Sequence, residues 1–409
     1  MKKILVIGAG RSAITLIKYL LDNSLENNWF VNVADYSLKL AEDIVKNHER
    51  GRAFLFDIFD NVKRIDEIQK ADIVVSMLPA NMHIIVAEDC IRYKKNLVTA
   101  SYVSEEINLL NQKAIDQNVL LLNEVGLDPG LDHMSAMRII DNIKNEGGDL
   151  ISFKSFCGGL VHPSYDNNPW RYKFTWNPRN VVLAGQGVSK YLDKGNVKFV
   201  SYNNLFERVE YMDILDVGTF EAYANRDSLS YMKAYGIEDI STLIRGTLRR
   251  KGYSKSWNCF VQLGLTDDSY IIPNSDLLTY REYLNMFLQS SENLTVEEKF
   301  CNEFKINMDS EIFKKVKWLD IFSTKKVELN NATPAKILQK ILEEKWSLSD
   351  NDKDMIVMKH KFEYIINGQL RKLNSSLLVF GENQKNTSMA KTVGLPVAIA
   401  VKLILNGKI

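Results

Sequence analysis

The sequence predicts an α/β chain that opens on a doubly wound parallel sheet and continues into a second α/β domain with a mixed sheet and a helical subdomain. Three observations carry this expectation. The chain begins with a short apolar run and a glycine-rich turn, MKKILVIGAGRSA. Further short apolar runs then alternate with helical stretches as far as Leu122. After Gly126 the pattern changes to longer alternating runs and then to mainly helical spacing.

Ile4 to Ile7 is short, apolar and rich in β-branched residues, as a parallel strand covered on both faces requires. Ser12 to Leu21 carries Ile14, Ile17, Leu20 and Leu21 at helical spacing. Gly8 permits a tight turn between strand and helix, Gly10 leaves room for a pyrophosphate against the backbone, and Ala13 lets the two elements pack closely. Arg11 and Ser12 stand where the helix begins, and its free N–H groups and partial positive charge favour phosphate. This opening is of the Rossmann type and predicts a dinucleotide.

Phe30 to Ala34 reads as the second strand and ends at Asp35, where such folds place a carboxylate that accepts the ribose hydroxyls. A carboxylate there repels the extra phosphate of NADP, and Tyr36 and Ser37 supply no cation to bind it. NAD is therefore favoured over NADP, although Asp35 could also cap the helix that starts near Leu38. Ala53 to Phe56, Ile73 to Met77, Leu97 to Ala100 and Val119 to Leu122 complete six strands, with helices over Met82 to Tyr93 and Ser104 to Gln117 between them.

Ligands of such sheets lie beyond the carboxyl ends of the strands. The loops Ser76-Met77-Leu78-Pro79, Ala100-Ser101-Tyr102 and Asn123-Glu124-Val125-Gly126 should face them, with Ser101 and Tyr102 equally able to cap the next helix. The expected cofactor contacts are Gly8, Gly10, Arg11, Ser12, Ala13, Asp35, Leu78, Pro79, Ser101, Val125, Gly126, Leu127 and Asp128.

Composition narrows the partners. The 409 residues, 45% hydrophobic and 25% charged, are too many for one core, and a net charge of +1 gives no reason to expect nucleic acid or an anionic membrane. No apolar run approaches the roughly 18 to 20 residues of a membrane span, and the apolar start lacks a cleavage site, so a cytoplasmic protein is expected. Cys90, Cys157, Cys259 and Cys301 are isolated, without metal-ligand spacing, and no metal site is expected.

Beyond Gly126, the runs Gly147 to Phe156, Val197 to Tyr202 and Met212 to Val217 read as strands of a second sheet. The loop Cys157 to Asn180 between them is rich in Gly, Pro, Asn and aromatics, including Trp170, Tyr172, Phe174 and Trp176. Ile237 to about Leu348 is mainly helical and charged. Strands return at Met355 to Ile366 and Ser376 to Phe380, and an apolar helix spans Thr387 to Leu405. The expected domains are 1–125 for the nucleotide, 126–236 with 354–385 for substrate and dimerisation, 237–353 as a helical subdomain, and 386–409 as a helix returning to the first domain.

Six ordered segments carry a resemblance: NEVGLDPGLDHMSA from Asn123, FCGGL from Phe156, DNNPWRYKFTWNPR from Asp166, NRDS from Asn225, RGTLR from Arg245 and TSMAKTVGLP from Thr387. With the glycine turn, they make the chain resemble the glutamate-forming saccharopine dehydrogenases, also called saccharopine reductases, over nearly its whole length. The resemblance implies a homodimeric oxidoreductase of lysine metabolism. Such an enzyme oxidises the secondary amine of saccharopine with NAD(P) and hydrolyses the imine to L-glutamate and 2-aminoadipate 6-semialdehyde, or runs the reverse.

The resemblance also implies roles for single residues. Arg226 matches a position that binds a substrate carboxylate, and a guanidinium can do so through two parallel hydrogen bonds. Thr247 and Leu248 match substrate contacts made by backbone and hydroxyl, with Arg245 and Arg249 as neighbours on a loop. Ser101 joins this substrate set. Tyr102, Asp128 and Cys157 match positions lining the site and are the candidates for proton work. Asp128 could instead cap a helix at Pro129, and Cys157 could be a packed thiol. His133 and His162 lie nearer the motifs than His48, His83 or His360.

Two departures stand out. Fungal members that use NADP carry a basic residue where this chain has Asp35-Tyr36, and Trp170-Arg171 is bulkier and more basic than the usual pair, so substrate identity could shift there. The alternatives are a related opine-type or carboxynorspermidine-type reductase, and a non-enzymatic NAD-sensing protein that kept the fold.

Overall fold

The structure, a computed structural model, describes residues 1–215 and 217–409 and divides into two compact units, residues 1–137 with 381–409, and residues 138–380. These borders differ from the expected ones. Residues 126–137 stay with the first unit: Gly126 packs against Ala100, whose Cβ would stand 3.0 Å from a Cβ on Gly126, and Leu131 N donates back to Gly126 O. Residues 381–385 join the C-terminal helix, with Glu382 N donating to Asn386 O and Lys391 pairing with the Glu382 carboxylate.

The first unit is built on six parallel strands, β1 (Lys2–Ile7), β2 (Trp29–Asp35), β3 (Gly51–Leu55), β4 (Ile73–Ser76), β5 (Asn96–Val98) and β6 (Leu121–Leu122). Their spatial order, β3-β2-β1-β4-β5-β6, reverses direction between β1 and β4, which is the switch point where such sheets hold ligands. Ile4 and Val6 face one core with α1 (Ile14–Asp22), α2 (Leu38–Val45) and the C-terminal helix Ser388–Leu405. Leu5 and Ile7 face the other, with α3 (Asn61–Lys70), α4 (His83–Arg92), α5 (Glu105–Leu109) and α6 (Asn111–Asp116). Burial on both faces is why the central strands β1 and β4 read as apolar runs. Helix α7 (Leu131–Asn145) follows the last loop.

The C-terminal helix corrects one expectation, since it is long and apolar enough to cross a membrane by length and composition. Its apolarity has a packing cause here. Val397, Ala398 and Val401 are fully buried beside α1, and a Cβ on Gly394 would lie 2.8 Å from Leu16 N.

The second unit holds an eight-stranded mixed sheet, β7 (Asp149–Val161), β8 (Val188–Asp193), β9 (Asn196–Ser201), β10 (Glu210–Asp213), β11 (Thr219–Ala224), β12 (Thr242–Arg250), β13 (Asp354–Ile366) and β14 (Gln369–Phe380). The order is β10-β11-β12-β7-β13-β14, with β8 against β12 and β9 beyond it; only β12 and β7 run parallel. Helices between residues 253 and 346 cover one face, and Trp170, Tyr172 and Phe174 insert among Tyr253, Trp257 and Trp346.

Three expectations change in this unit. The Cys157 loop starts later, because β7 runs on to Val161; Gly158 lets it pass Leu248, whose carbonyl would stand 2.6 Å from an added Cβ. The strand expected over Met212 to Val217 ends at Asp213, turns, and resumes as β11. The span expected to be helical from 237 contains β12, which is central to the sheet although it carries Arg245, Arg249 and Arg250.

Candidate active site

In the first unit the glycine turn is shaped for a dinucleotide. Gly8 has φ of 105°, and a Cβ there would lie 2.8 Å from Met77 O, so the turn needs glycine. A Cβ on Gly10 would meet nothing within 4 Å, which leaves an open approach to the N-terminus of the short turn Arg11–Ala13. Arg11 is exposed, Ser12 half-buried and Ala13 buried against the sheet. These are the features a pyrophosphate needs.

Asp35 closes the other side of the turn. One carboxylate oxygen accepts from Ala9 N at 2.7 Å and the other from Ser37 N at 2.7 Å. Its carboxylate is therefore fixed to the glycine turn and to the start of α2 at once. Leu78 and Pro79 follow β4 at the same end of the sheet, half-buried and exposed respectively.

Next to them, His83 opens α4 and is almost fully buried. Its Nδ1 lies 2.8 Å from Ser76 Oγ and its Nε2 2.7 Å from Ser101 Oγ, with Thr99 Oγ1 at 3.4 Å. Burial pulls this imidazole down to about 4, so it is neutral near pH 7.

Ser101 leads into the loop that carries Tyr102, whose hydroxyl donates to Asp128 Oδ1 at 3.1 Å. Glu124 holds this loop in three ways. Its N donates to Ser101 O, its Oε1 accepts from Val103 N at 3.1 Å, and its Oε2 lies 2.9 Å from His133 Nε2. Val125, Gly126 and Leu127 are buried beneath it. Gly130 has φ of 147°, and a Cβ there would stand 2.1 Å from Gly126 O, so two glycine backbones touch under Asp128. Asp132 Oδ1 accepts from Gly130 N at 2.7 Å. Asp128 remains half-buried at the tyrosine.

In the second unit the sheet register puts Tyr223, Thr247, Cys157 and Met358 in one row across β11, β12, β7 and β13. Cys157 and Thr247 are thus neighbours, with the cysteine buried and the threonine half-buried. Leu248 is fully buried and its carbonyl accepts from Arg249 Nη1 at 3.0 Å.

Arg226 follows β11 and is exposed, with φ of 46°. Its carbonyl accepts from Lys190 N at 2.8 Å, and Lys190 Nζ pairs with Asp227 at 2.8 Å. A left-handed non-glycine backbone held by its surroundings is common at ligand sites. Glu221, the other carboxylate near it in sequence, is buried and accepts from the N–H groups of Gly252 and Ser254.

Arg245 and Arg249 are on a strand and buried, not on a solvent-facing loop. The guanidinium of Arg245 lies 4.3 Å from the Tyr231 ring centroid, and that of Arg249 lies 5.1 and 5.4 Å from Tyr172 and Tyr253. Trp170 is a core residue, donating from Nε1 to Lys315 O at 2.7 Å, and Arg171 pairs with Asp166 at 2.7 Å. Trp170 is therefore accounted for by packing, and Arg171 by its ion pair at the surface.

Sequence reasoning placed Glu124 on a loop facing the ligands without giving its side chain a role, and ranked His83 behind His133 and His162. The signal for His83 was its place on the segment that follows β4, near the Leu78-Pro79 loop.

Residues 4–122 match the family model described as saccharopine dehydrogenase NADP binding domain, and residues 126–409 the saccharopine dehydrogenase C-terminal domain. The chain is 32% identical to the saccharopine dehydrogenase [NADP(+), L-glutamate-forming] of Schizosaccharomyces pombe, covering 100% of this chain and 92% of that protein. It is 34% identical to the alpha-aminoadipic semialdehyde synthase of Arabidopsis thaliana and 35% to the mitochondrial one of Mus musculus. It covers 95% and 100% of itself in these matches but only 38% and 44% of those proteins, less than half their length. Among solved structures, the apo L-Glu-forming saccharopine dehydrogenase of Saccharomyces cerevisiae superposes with a TM-score of 0.87 at 32% identity, covering 100% of this chain and 92% of that one.

Proposed function

The chain belongs to the saccharopine dehydrogenase family, and we propose that it is a nicotinamide-dependent saccharopine dehydrogenase of the L-glutamate-forming type, acting in lysine metabolism. The observation that carries this reading is the Tyr102 hydroxyl hydrogen-bonded to Asp128 at the ligand end of the nucleotide sheet. The reaction needs such a pair. Saccharopine's amine is protonated in water, and hydride leaves only from a carbon beside a neutral amine, so a proton must first be accepted. Asp128 is the acceptor and Tyr102 orients its carboxylate. When bound, the nicotinamide takes up the hydride. Asp128 then releases that proton to solvent, and as water adds to the carbon of the protonated imine and the C–N bond breaks, its carboxylate relays the water's protons to the nitrogen, so that glutamate leaves as its ammonium.

In the second unit Arg226 binds a substrate carboxylate, Thr247 supplies a hydroxyl, and Cys157, beside Thr247, is a lining residue. Leu248 contributes through its backbone. Gly8, Gly10, Arg11, Ser12 and Ala13 hold the pyrophosphate, Asp35 the ribose, and the loops at Leu78-Pro79, Ser101 and Val125 to Asp128 the nicotinamide end. NAD is the preferred cofactor, on the strength of the Asp35 carboxylate at the turn, although the fungal relatives are named for NADP. The protein acts as a homodimer, a reading supported by β14, an edge strand of 12 residues.

Mixing the protein with saccharopine and NAD or NADP and following reduced nicotinamide tests the activity. Turnover with saccharopine is expected, faster at low cofactor with NAD; silence with both cofactors sinks the reading. Arg226→Ala should lower kcat/KM by roughly a hundredfold, from the loss of a charged hydrogen-bonding partner, with cofactor binding retained.

A further inference from the structure

Within the first unit, Ser76, His83 and Ser101 form a hydrogen-bonded chain that ends at the loop carrying Tyr102. Ser76 is fully buried at the end of β4, and its hydroxyl makes this hydrogen bond alone among the described residues. A buried hydroxyl hydrogen without an acceptor is costly, so Ser76 donates to His83 Nδ1. The imidazole is neutral, and with Nδ1 accepting, its one proton must sit on Nε2. Nε2–H then donates to Ser101 Oγ at 2.7 Å. The Ser101 oxygen, occupied as an acceptor from beneath, has its own hydrogen directed elsewhere, and Ser101 is half-buried, not sealed. Thr99 strengthens the frame: its Oγ1 accepts from Ser101 N at 3.3 Å and stands 3.4 Å from His83 Nε2.

We infer that His83 is a positioning residue, whose Nε2–H fixes the Ser101 oxygen so that the Ser101 hydroxyl donates to an acceptor oxygen of the amino-acid substrate. This rests on the proposed function for the identity of the ligand, but the hydrogen-bond chain itself does not. No charged group takes part in the chain, so it carries polarity and orientation without net charge. With the opposite tautomer, Ser101 would spend its hydrogen on His83 and present only lone pairs, which a carboxylate-rich substrate would reject.

Two measurements decide it. A side-chain ¹H–¹⁵N correlation spectrum of the full chain, with His83 assigned by its loss in His83→Gln, should show the Nε2–H tautomer at neutral pH. An Nδ1–H tautomer or an imidazolium overturns the inference. Kinetics supply the second reading. His83→Asn keeps a polar atom near Nδ1 but cannot reach Ser101, and should raise KM for saccharopine about 10-fold, the scale of one well-placed hydrogen bond. His83→Gln, which reaches Ser101, should stay within about threefold of wild type. Ser101→Ala should match His83→Asn, and the double variant should be no worse. Equal effects of Asn and Gln, or additive effects with Ser101→Ala, sink the proposal.

Should His83→Asn not fold, Ser76→Ala removes the donor to Nδ1, and should populate the Nδ1–H tautomer and raise KM a few-fold; an unchanged tautomer there also overturns the inference. The spectrum is read without substrate, so it stands even if the wild-type protein fails to oxidise saccharopine, a result that would instead defeat the proposed function.

Discussion

The polar groups at the strand ends of the first unit and the arginines of β12 in the second are held by different means. At the strand ends of the first unit, Asp35, His83 and Glu124 each hold two or more partners at hydrogen-bond distance, and each lies beside a residue expected to meet a ligand. In the second unit Arg245 and Arg249 are buried against aromatic rings, and Trp346 is wrapped by Trp170, Tyr172 and Phe174 at centroid distances of 5.2, 5.0 and 5.4 Å. A hydrogen-bonded frame fixes directions, which chemistry needs. An aromatic core supplies burial, which stability needs, and its ring faces hold the guanidinium groups.

The comparison breaks most readily at Trp346. Trp346→Ala empties the centre of the aromatic cluster and should cost about 3–5 kcal/mol of unfolding free energy by chemical denaturation. A loss below about 1 kcal/mol would mean that the cluster is not what holds the second unit together.

Gly130→Ala is the corresponding insult to the first unit. Its added Cβ would sit inside contact distance of Gly126 O, at a φ that L residues rarely adopt. Strain of about 1–3 kcal/mol is expected, and saccharopine turnover should fall far more than stability does, because Asp128 moves with the loop. Equal losses of both, seen by thermal melting beside an activity assay, would erase the distinction between frame and core.

The same contrast explains what was legible in the sequence. The inner strands β1, β2, β4 and β5 are largely buried on both faces, so their apolar runs announced them, and the glycine turn and Asp35 stand at fixed places relative to those runs. β12 was hidden because its face carries arginines, and a charged strand reads as exposed until Tyr172, Tyr231 and Tyr253 are seen beside it. Trp170 read as a substrate residue for the same reason: its partners Phe260 and Trp346 are distant in sequence. His83 was hidden because its partners Ser76 and Ser101 come from two other strand ends. The Tyr102–Asp128 hydrogen bond, by comparison, joins two residues already named from the family motifs.

His83 also gives the frame a pH signature. Its folded value near 4 lies below the ordinary 6.5. The unfolded chain therefore takes up the proton first as pH falls, so this contribution to stability is complete above about pH 6.5 and is lost progressively toward pH 4. Going from about pH 7.5 to about pH 5 should cost about 2 kcal/mol from this group. In His83→Gln that increment should vanish from the urea midpoints; a wild-type slope in the variant would show that other groups set the acid sensitivity.

The finest test separates the Asp35 carboxylate as a structural tie from the same carboxylate as a cofactor selector. Asp35→Asn keeps one acceptor oxygen for Ala9 N but removes the charge and the acceptor for Ser37 N, so it should relax the preference for NAD at a cost of about 1–3 kcal/mol in stability. Tyr36→Arg alone adds a phosphate partner but leaves the repulsion, and should move the ratio of kcat/KM values less than the pair does. Asp35→Ser with Tyr36→Arg does both, and should shift the ratio toward NADP by roughly 10- to 100-fold, the scale of adding one charge-assisted hydrogen bond and removing one repulsion. If the single and double variants all leave the ratio unchanged while the melting temperature falls, Asp35 is only a tie between the turn and α2. If the ratio moves in Asp35→Asn beyond what the fall in melting explains, the carboxylate reads the ribose, and the frame of the first unit then sets which cofactor this chain uses as well as where it lies.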